Sequence, residues 1–322
     1  MAWQLDRDLY GPERPTVRDI EPLNRVFSES FTDRYRRDGL LGVRVPHLNP
    51  LIWRYALEDA GDGAMVWRDG DGELAGFNVV HFSGSEGWMG PLAVRPDRQG
   101  VGLGKEMIRS GIDWLHEKAV QTIGLETMPR TIENIGFYSR LGFLPGHLTI
   151  TLTRDLPRKP GLAPELASHA AAARVDRVLE CRTLTTRLAP GIDFAREIQL
   201  TLELKIGDVA LVRRDGGALS GFALFHSAPL AAGRPQDELR ILKLVAEDVE
   251  SFEALIGAAE TAAMGLGLRR LSLRCQTGYC NAYLRLIQAG YRTHWTDLRM
   301  TLNGHPEVVP AAGAVVMSNW EI

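Results

Sequence analysis

The chain has 322 residues, 45% of them hydrophobic and 24% charged, with a formal net charge of −3. At roughly 100–200 residues per domain that length makes about two domains, each with its own core. The charge balance lacks the positive field of a nucleic-acid binder, no run approaches the roughly 18 apolar residues of a membrane span, and the start MAWQLDRDLYGPERPTV lacks the pattern of a secretory signal. A cytoplasmic protein with a small-molecule or peptide partner, no nucleic acid and no membrane is therefore expected.

Val17–Ile20 reads as a short strand leading into helices over Leu23–Arg37 and Asn49–Ala60. Ala64–Arg68 and Glu73–Phe82 are predicted as hairpin strands joined by the turn-rich RDGDG. A strand over Gly87–Arg95 precedes a glycine-rich turn and a helix from about Val101 to Lys118, on which Val101, Leu103, Met107, Ile108, Ile112 and Leu115 recur near helical spacing. Strand Thr122–Glu126, helix Ile132–Leu141 and strand Leu148–Thr153 follow. Strands that first run on without helices and then alternate with them predict α+β architecture with some parallel pairing. The segment DLPRKPGLAP, Asp155–Pro164, interrupts any regular pattern. It divides the chain into 1–158 and 159–322, with an alanine-rich helix expected to open the second part.

The second part repeats the first. DGDGELAGFNVVHFS returns as DGGALSGFALFHS, with Gly76 and Phe77 matching Gly221 and Phe222 and His81 matching His226. GFYSRLGF returns as LRLIQAGY, with Gly142 matching Gly290. A period of roughly 150 residues is too long for a solenoid unit, so each copy is a whole domain. Cys181, Cys275 and Cys280 form neither a disulfide framework nor a zinc pattern. They are expected as reduced core thiols, and no metal is implied.

The most informative segment is PLAVRPDRQGVGLGKEMIRSGIDWL, Pro91–Leu115: a strand, a turn carrying Gly100, Gly102 and Gly104, and an amphipathic helix. Glycines let a ligand approach the main chain, while the free N–H groups of the first helical turn carry the positive end of the dipole. That is a phosphate cradle. A Walker A loop is excluded, because Gln99 stands where its first glycine belongs and Glu106 where its hydroxyl does. A dinucleotide fingerprint fits poorly, because the loop RPDRQ intervenes, although Glu126 mimics its ribose-binding acid.

The third pattern, [QR]-x-x-G-x-[GA], is met by Gln99, Gly102 and Gly104, and Tyr138–Phe143 follows as Y-x-x-x-G-F after one helix and one strand. From about Val17 to Thr153 the chain resembles the GNAT superfamily of acyl-CoA-dependent N-acetyltransferases. The resemblance implies two tandem GNAT-like domains, each a mixed, mostly antiparallel sheet flanked by helices, with acetyl-CoA as cosubstrate. It implies that main-chain groups of Leu92, Ala93 and Val94 pair with the pantetheine arm. The N–H groups of Gln99, Gly100, Val101, Gly102, Leu103, Gly104 and Lys105 would hold the pyrophosphate, and Tyr138 would protonate the departing thiolate. A phenol suits that last task, because its pKa lies close to that of a thiol. Where many members carry an asparagine that touches the coenzyme this chain has Thr131, and Asn134 is the expected substitute.

Glu86 and Glu126, at the ends of neighbouring strands, are the candidate general bases. His81 is expected to be structural, since His226 repeats it in a copy without the cradle. In that copy Glu247, Asp248, Glu250 and Glu253 crowd the helix start where an anion would sit, and Leu286 stands at the tyrosine position. The second domain is expected to have lost its coenzyme site. Gly313–Ile322 reads as a last strand able to pair with either sheet. The predicted activity is direct transfer of acetyl from acetyl-CoA to a primary amine, with a non-catalytic acyl-CoA-binding regulator as the alternative. Acceptor identity is expected to lie in loops such as Asp38–Pro50, and both monomer and homodimer stay open.

Overall fold

The computed structural model describes residues 8–157, 163–169 and 174–319. Strand β1 (Leu9–Glu13) pairs antiparallel with β2 (Ala64–Asp69) at one edge of the sheet. Between them lie α1 (Ile20–Arg37) and α2 (Pro50–Ala60). The expected strand over Val17–Ile20 is instead a 3-10 turn, Val17–Asp19, running straight into α1. Its cause is a capping box: the Thr16 N–H donates to Asp19 Oδ2 at 2.8 Å and the Arg18 N–H to Thr16 Oγ1 at 3.3 Å. Those two bonds commit the segment to helical geometry. Asn49 caps α2 in the same way, accepting from the Leu51 N–H at 3.0 Å, with Pro50 at the first helical position.

β3 (Leu74–Ser83), β4 (Glu86–Val94), α3 (Leu103–Glu117), β5 (Thr122–Thr127), α4 (Ile132–Arg140) and β6 (Phe143–Asp155) complete the first half. β4 and β5 form its parallel pair; the rest is antiparallel. The second half runs β7 (Glu165–Leu166), α5 (Arg174–Leu188), α6 (Ala195–Leu204), β8 (Gly207–Arg213), β9 (Leu219–His226), β10 (Glu238–Ala246), α7 (Val249–Gly265), β11 (Arg270–Gln276), α8 (Cys280–Gln288), β12 (Arg292–Leu302) and β13 (Val315–Ser318). Its parallel pair is β10 with β11. The division at 158/159 and the start of the alanine-rich segment lie outside the described residues. Cys181 and Cys275 are buried as expected, but Cys280 is exposed, because it is the first residue of α8 at the surface.

The repeated glycine has a structural reason. A Cβ on Gly76 would stand 3.0 Å from the Met107 sulfur of α3, and one on Gly221 2.7 Å from Leu255 of α7. In each half glycine lets the helix lie close on the sheet.

The halves do not keep separate sheets. The order is β1-β2-β3-β4-β5-β12-β6-β11-β10-β9-β8-β7, with β13 beside β10. β12, from the second half, pairs with β5; β6, from the first, pairs with β11; and β12 and β6 pair with each other. The exchange is register-matched: Leu298 faces Thr127 just as Ile150 faces Cys275. The long loop before α2 also reaches across, where the Asn49 N–H donates to the Leu230 carbonyl at 2.8 Å. Among the described residues no helix is long and apolar enough to cross a membrane.

Candidate active site

β4 and β5 stay paired only from Glu86 opposite Thr122 to Met89 opposite Leu125. Gly90 and Pro91 come next, and proline has no N–H to offer a ladder. The strands part there. Leu92, Ala93 and Val94 remain paired with β3 on one side, while the edge facing β5 is open to a ligand.

Where β4 ends, the chain turns back into α3. Gly100 and Gly102 take left-handed backbone angles, φ +83° and +94°, and Gly102 caps the helix. A Cβ built on either would meet nothing within 4 Å, so backbone conformation fixes the glycines and the space above them is clear. Gln99 pins the turn to the strand, its Nε2 donating to the Val94 carbonyl at 3.1 Å. The N–H groups of Lys105 and Glu106 reach back to the Gly102 carbonyl, at 3.1 and 3.2 Å. Those of Leu103 and Gly104 have no carbonyl within the helix to reach. The Leu103 side chain is buried in the core, while Val101 is exposed at the rim.

A cavity of about 300 Å³ lies between the parted strands, lined by Met89–Val94, Gln99 and Gly104 on one side and by Glu126, Asn134, Phe137 and Tyr138 on the other. Tyr138 is 7% exposed, with its ring against those of Phe137 and Phe143 at 5.2 and 6.2 Å. Burial pushes its phenol pKa well up. Among the described residues its hydroxyl has no hydrogen-bond partner, so it is a protonated donor on the cavity wall. Thr131 is turned away, its hydroxyl donating to Asp38 Oδ2 at 2.6 Å.

The two candidate bases are placed differently. Glu86 is buried at the far end of β4, where the Ser318 hydroxyl donates to Oε2 at 2.9 Å, and it does not line the cavity. Glu126 does line it, but the Thr149 hydroxyl and Arg299 each donate to Oε1 at 2.7 Å and Arg274 donates to Oε2. Burial alone would raise its pKa, yet Arg274 and Arg299 outweigh burial and hold it below the usual carboxylate range. His81 is buried against Asp59, Nδ1 to Oδ2 at 3.0 Å, and His226 against Thr201 at 3.1 Å. Neither reaches the cavity.

One residue on the wall was not anticipated. Asp297 comes from β12, the exchanged strand of the second half. Its carboxylate accepts from Arg274 at 2.7 Å and from the Trp295 indole at 3.3 Å. Matching the repeats places Asp297 opposite Thr149, but nothing in the sequence announces the exchange that carries it here.

Residues 23–143, the segment holding the open strand, the glycine turn and Tyr138, match the acetyltransferase (GNAT) family. They are a GNAT domain. The chain is 33% identical over 79 residues to the mycothiol acetyltransferase of Clavibacter sepedonicus, a match covering 24% of this chain and 26% of that relative. It is 23% identical over 130 residues to the putative ribosomal protein bS18-alanine N-acetyltransferase of Bacillus subtilis (strain 168), covering 40% of this chain and 78% of that one. The chain thus spans only about a quarter of the mycothiol acetyltransferase it matches. At the level of fold, a tandem GNAT protein from the clavulanic acid biosynthesis pathway superposes with a TM-score of 0.58 at 12% identity, over 93% of this chain and 100% of that one.

The second half is built like the GNAT domain up to the point where its strands part. β10 and β11 also make four pairs, Glu238–Arg270 to Ile241–Leu273. The edge that stays open in the GNAT domain is filled here: β13 pairs antiparallel with β10, Lys243 opposite Ser318 through Ala246 opposite Val315. At the start of α7, Asp248 accepts from the Ser251 N–H at 2.8 Å, so a carboxylate already sits at the helix end. Bonding to that backbone N–H holds its pKa down. Leu286 of α8, at the position of Tyr138, is buried in the core.

Proposed function

We propose that the GNAT domain transfers an acetyl group from acetyl-CoA directly to a primary amine. The observation that carries this reading is the convergence on one cavity of an open strand edge, an uncluttered helix start and an unpartnered tyrosine hydroxyl. Leu92–Val94 would align the pantetheine arm by strand-like hydrogen bonds, and the turn from Gln99 to Lys105 would hold the pyrophosphate. Asn134 would touch the coenzyme beside Tyr138. As the amine nitrogen bonds to the thioester carbon and the carbon–sulfur bond breaks, Tyr138 would give its proton to the leaving sulfur, and the proton that the acetylated nitrogen sheds would restore the phenol. Glu126, held anionic by two arginines, suits electrostatic positioning better than proton abstraction, and Glu86 does not line the cavity.

The reading includes a single coenzyme site. β13 lies along the edge that pantetheine would need in the second half, and Asp248 stands where its pyrophosphate would go. Two measurements test the proposal together. Calorimetry with acetyl-CoA should give one site per chain, and amine-dependent thiol release should fall about 100-fold or more in Tyr138→Phe, the usual scale for losing a general acid, with acetyl-CoA affinity little changed. Turnover within about threefold of the parent, too small for such a loss, removes Tyr138 from the chemistry. Tight binding without thiol release for any amine would leave a regulator that reads acyl-CoA.

A further inference from the structure

Away from the cavity the two halves also meet at a pair of histidines. His116 stands in the last turn of α3 and His305 in the loop that follows β12, so each half supplies one. Their rings face each other with Nε2 3.3 Å from Nε2 and centroids 5.1 Å apart. His116 is exposed and His305 half-buried, so water reaches the pair.

The loop that carries His305 is fastened to the GNAT domain. The Thr122 hydroxyl donates to the Pro306 carbonyl at 2.7 Å, the Ile123 N–H to the His305 carbonyl at 3.4 Å and the Asn303 N–H to the Gly142 carbonyl at 2.9 Å. The His305 ring itself is bonded through Nδ1 to the Gln121 carbonyl at 3.1 Å. A carbonyl only accepts, so that Nδ1 carries the hydrogen and the lone pair of the neutral ring falls on Nε2, aimed at His116. An imidazole that ligates a metal is oriented in this way, with one nitrogen held by a main-chain carbonyl and the other presenting its lone pair. His116 needs only the other tautomer, its Nδ1 hydrogen turned to water, to present a second lone pair at the same point.

The spacing fits a shared ion. Two imidazole nitrogens at about 2.0–2.1 Å from one ion, at a tetrahedral angle, stand roughly 3.3–3.4 Å apart. The observed separation is 3.3 Å. The negative end of the α3 dipole lies in the same last turn and favours a cation there. Among the described residues no group of three or more His, Cys, Asp or Glu side chains could hold a metal, so the chain supplies two ligands here and water the rest.

We propose that His116 and His305 form a surface site for one divalent transition-metal ion of the class that takes neutral imidazole, represented by Zn²⁺. Bound there, the ion bridges α3 of the GNAT domain to the loop after β12 and so ties the exchanged strand to its host. Two protein ligands make an exchangeable site, unlike the closed four-ligand sites that hold structural zinc. Neither histidine lines the coenzyme cavity, so the site stands apart from acetyl transfer.

The test is calorimetric titration of the full chain with zinc chloride, after dialysis against a chelator and then into a buffer that does not bind the ion. One ion per chain should bind, and magnesium, which prefers oxygen ligands, should not. His116→Ala and His305→Asn should each weaken zinc binding by at least about tenfold, the lower end of the loss seen even when a ligand's outer partner is removed. His305→Asn keeps a donor for the Gln121 carbonyl, so its metal-free thermal transition should match that of the parent. The rise in midpoint that zinc gives the parent should be lost in both variants. Cys280→Ser, which removes the exposed thiol, should leave zinc affinity unchanged. Absence of zinc binding, binding that survives either histidine substitution, or binding that is lost with Cys280 overturns the proposal.

Discussion

Glu197 of α6 is 1% exposed, with the Ser83 hydroxyl on Oε1, Lys243 at 4.0 Å and Asp59 nearby. Burial, reinforced by Asp59, pushes its pKa up to about 8, and Lys243 offsets only part of that rise. Between the ordinary value of 4.5 and about 8 the folded chain holds a proton that the unfolded chain has released. Stability from this group is therefore complete below about 4.5 and is lost as pH rises towards about 8. Glu197→Gln should remove that loss, so denaturation curves of parent and variant should draw apart by up to about 1.4 kcal/mol per pH unit across this window. Parallel curves would mean that Glu197 is ionised in the fold. At this scale the sequence was informative where chemistry is local: Gln99, the turn glycines and Tyr138 share one segment and could be read together. Glu86 and Glu126 could be named as strand-end acids, but whether each meets a cavity or an arginine depends on residues more than a hundred positions away.

At the scale of elements, the helices and hairpins were legible because their periodicity and caps are local, and β13 was legible as a strand. What it pairs with was not. Val315 and Met317 join the core beneath α7, while Val316 joins the core on the opposite face of the sheet, so a four-residue strand clamps two layers. Met317→Ala should cost about 2–4 kcal/mol, the range for emptying a buried methionine site, measured by urea denaturation. A cost below about 1 kcal/mol, typical of exposed sites, would mean that β13 lies on the edge without being part of the core. The short strand predicted at Val17–Ile20 was lost to a cap: β-branched residues favour a strand, but two side-chain bonds from Thr16 and Asp19 decide for a helix start.

For the whole molecule the duplication was visible in the sequence, whereas the continuous sheet was not, since exchange alters no residue. Its energetic consequence is plain: removing β12 leaves β5 without one of its two neighbours, and removing β6 does the same to β11. Residues 1–157 and 163–322 produced separately should each lack a cooperative thermal transition, and mixing the two should restore one with coenzyme binding. Two independent, monomeric melts would show that the exchanged strands are dispensable.

Antiparallel neighbours such as β6 and β12 are related by a local two-fold axis, and here that axis relates the halves: Glu126 of one stands where the other has Arg274, and the two are joined by a hydrogen bond. This is the isologous contact of a closed homodimer, drawn in a single chain. In a true homodimer a substitution beside the axis appears on both sides, and two glutamates would face each other and repel. Fusion lifts that restriction: one copy can keep its acid and the other offer the arginine that neutralises it. One copy can likewise keep its strand edge open while the other closes that edge with β13.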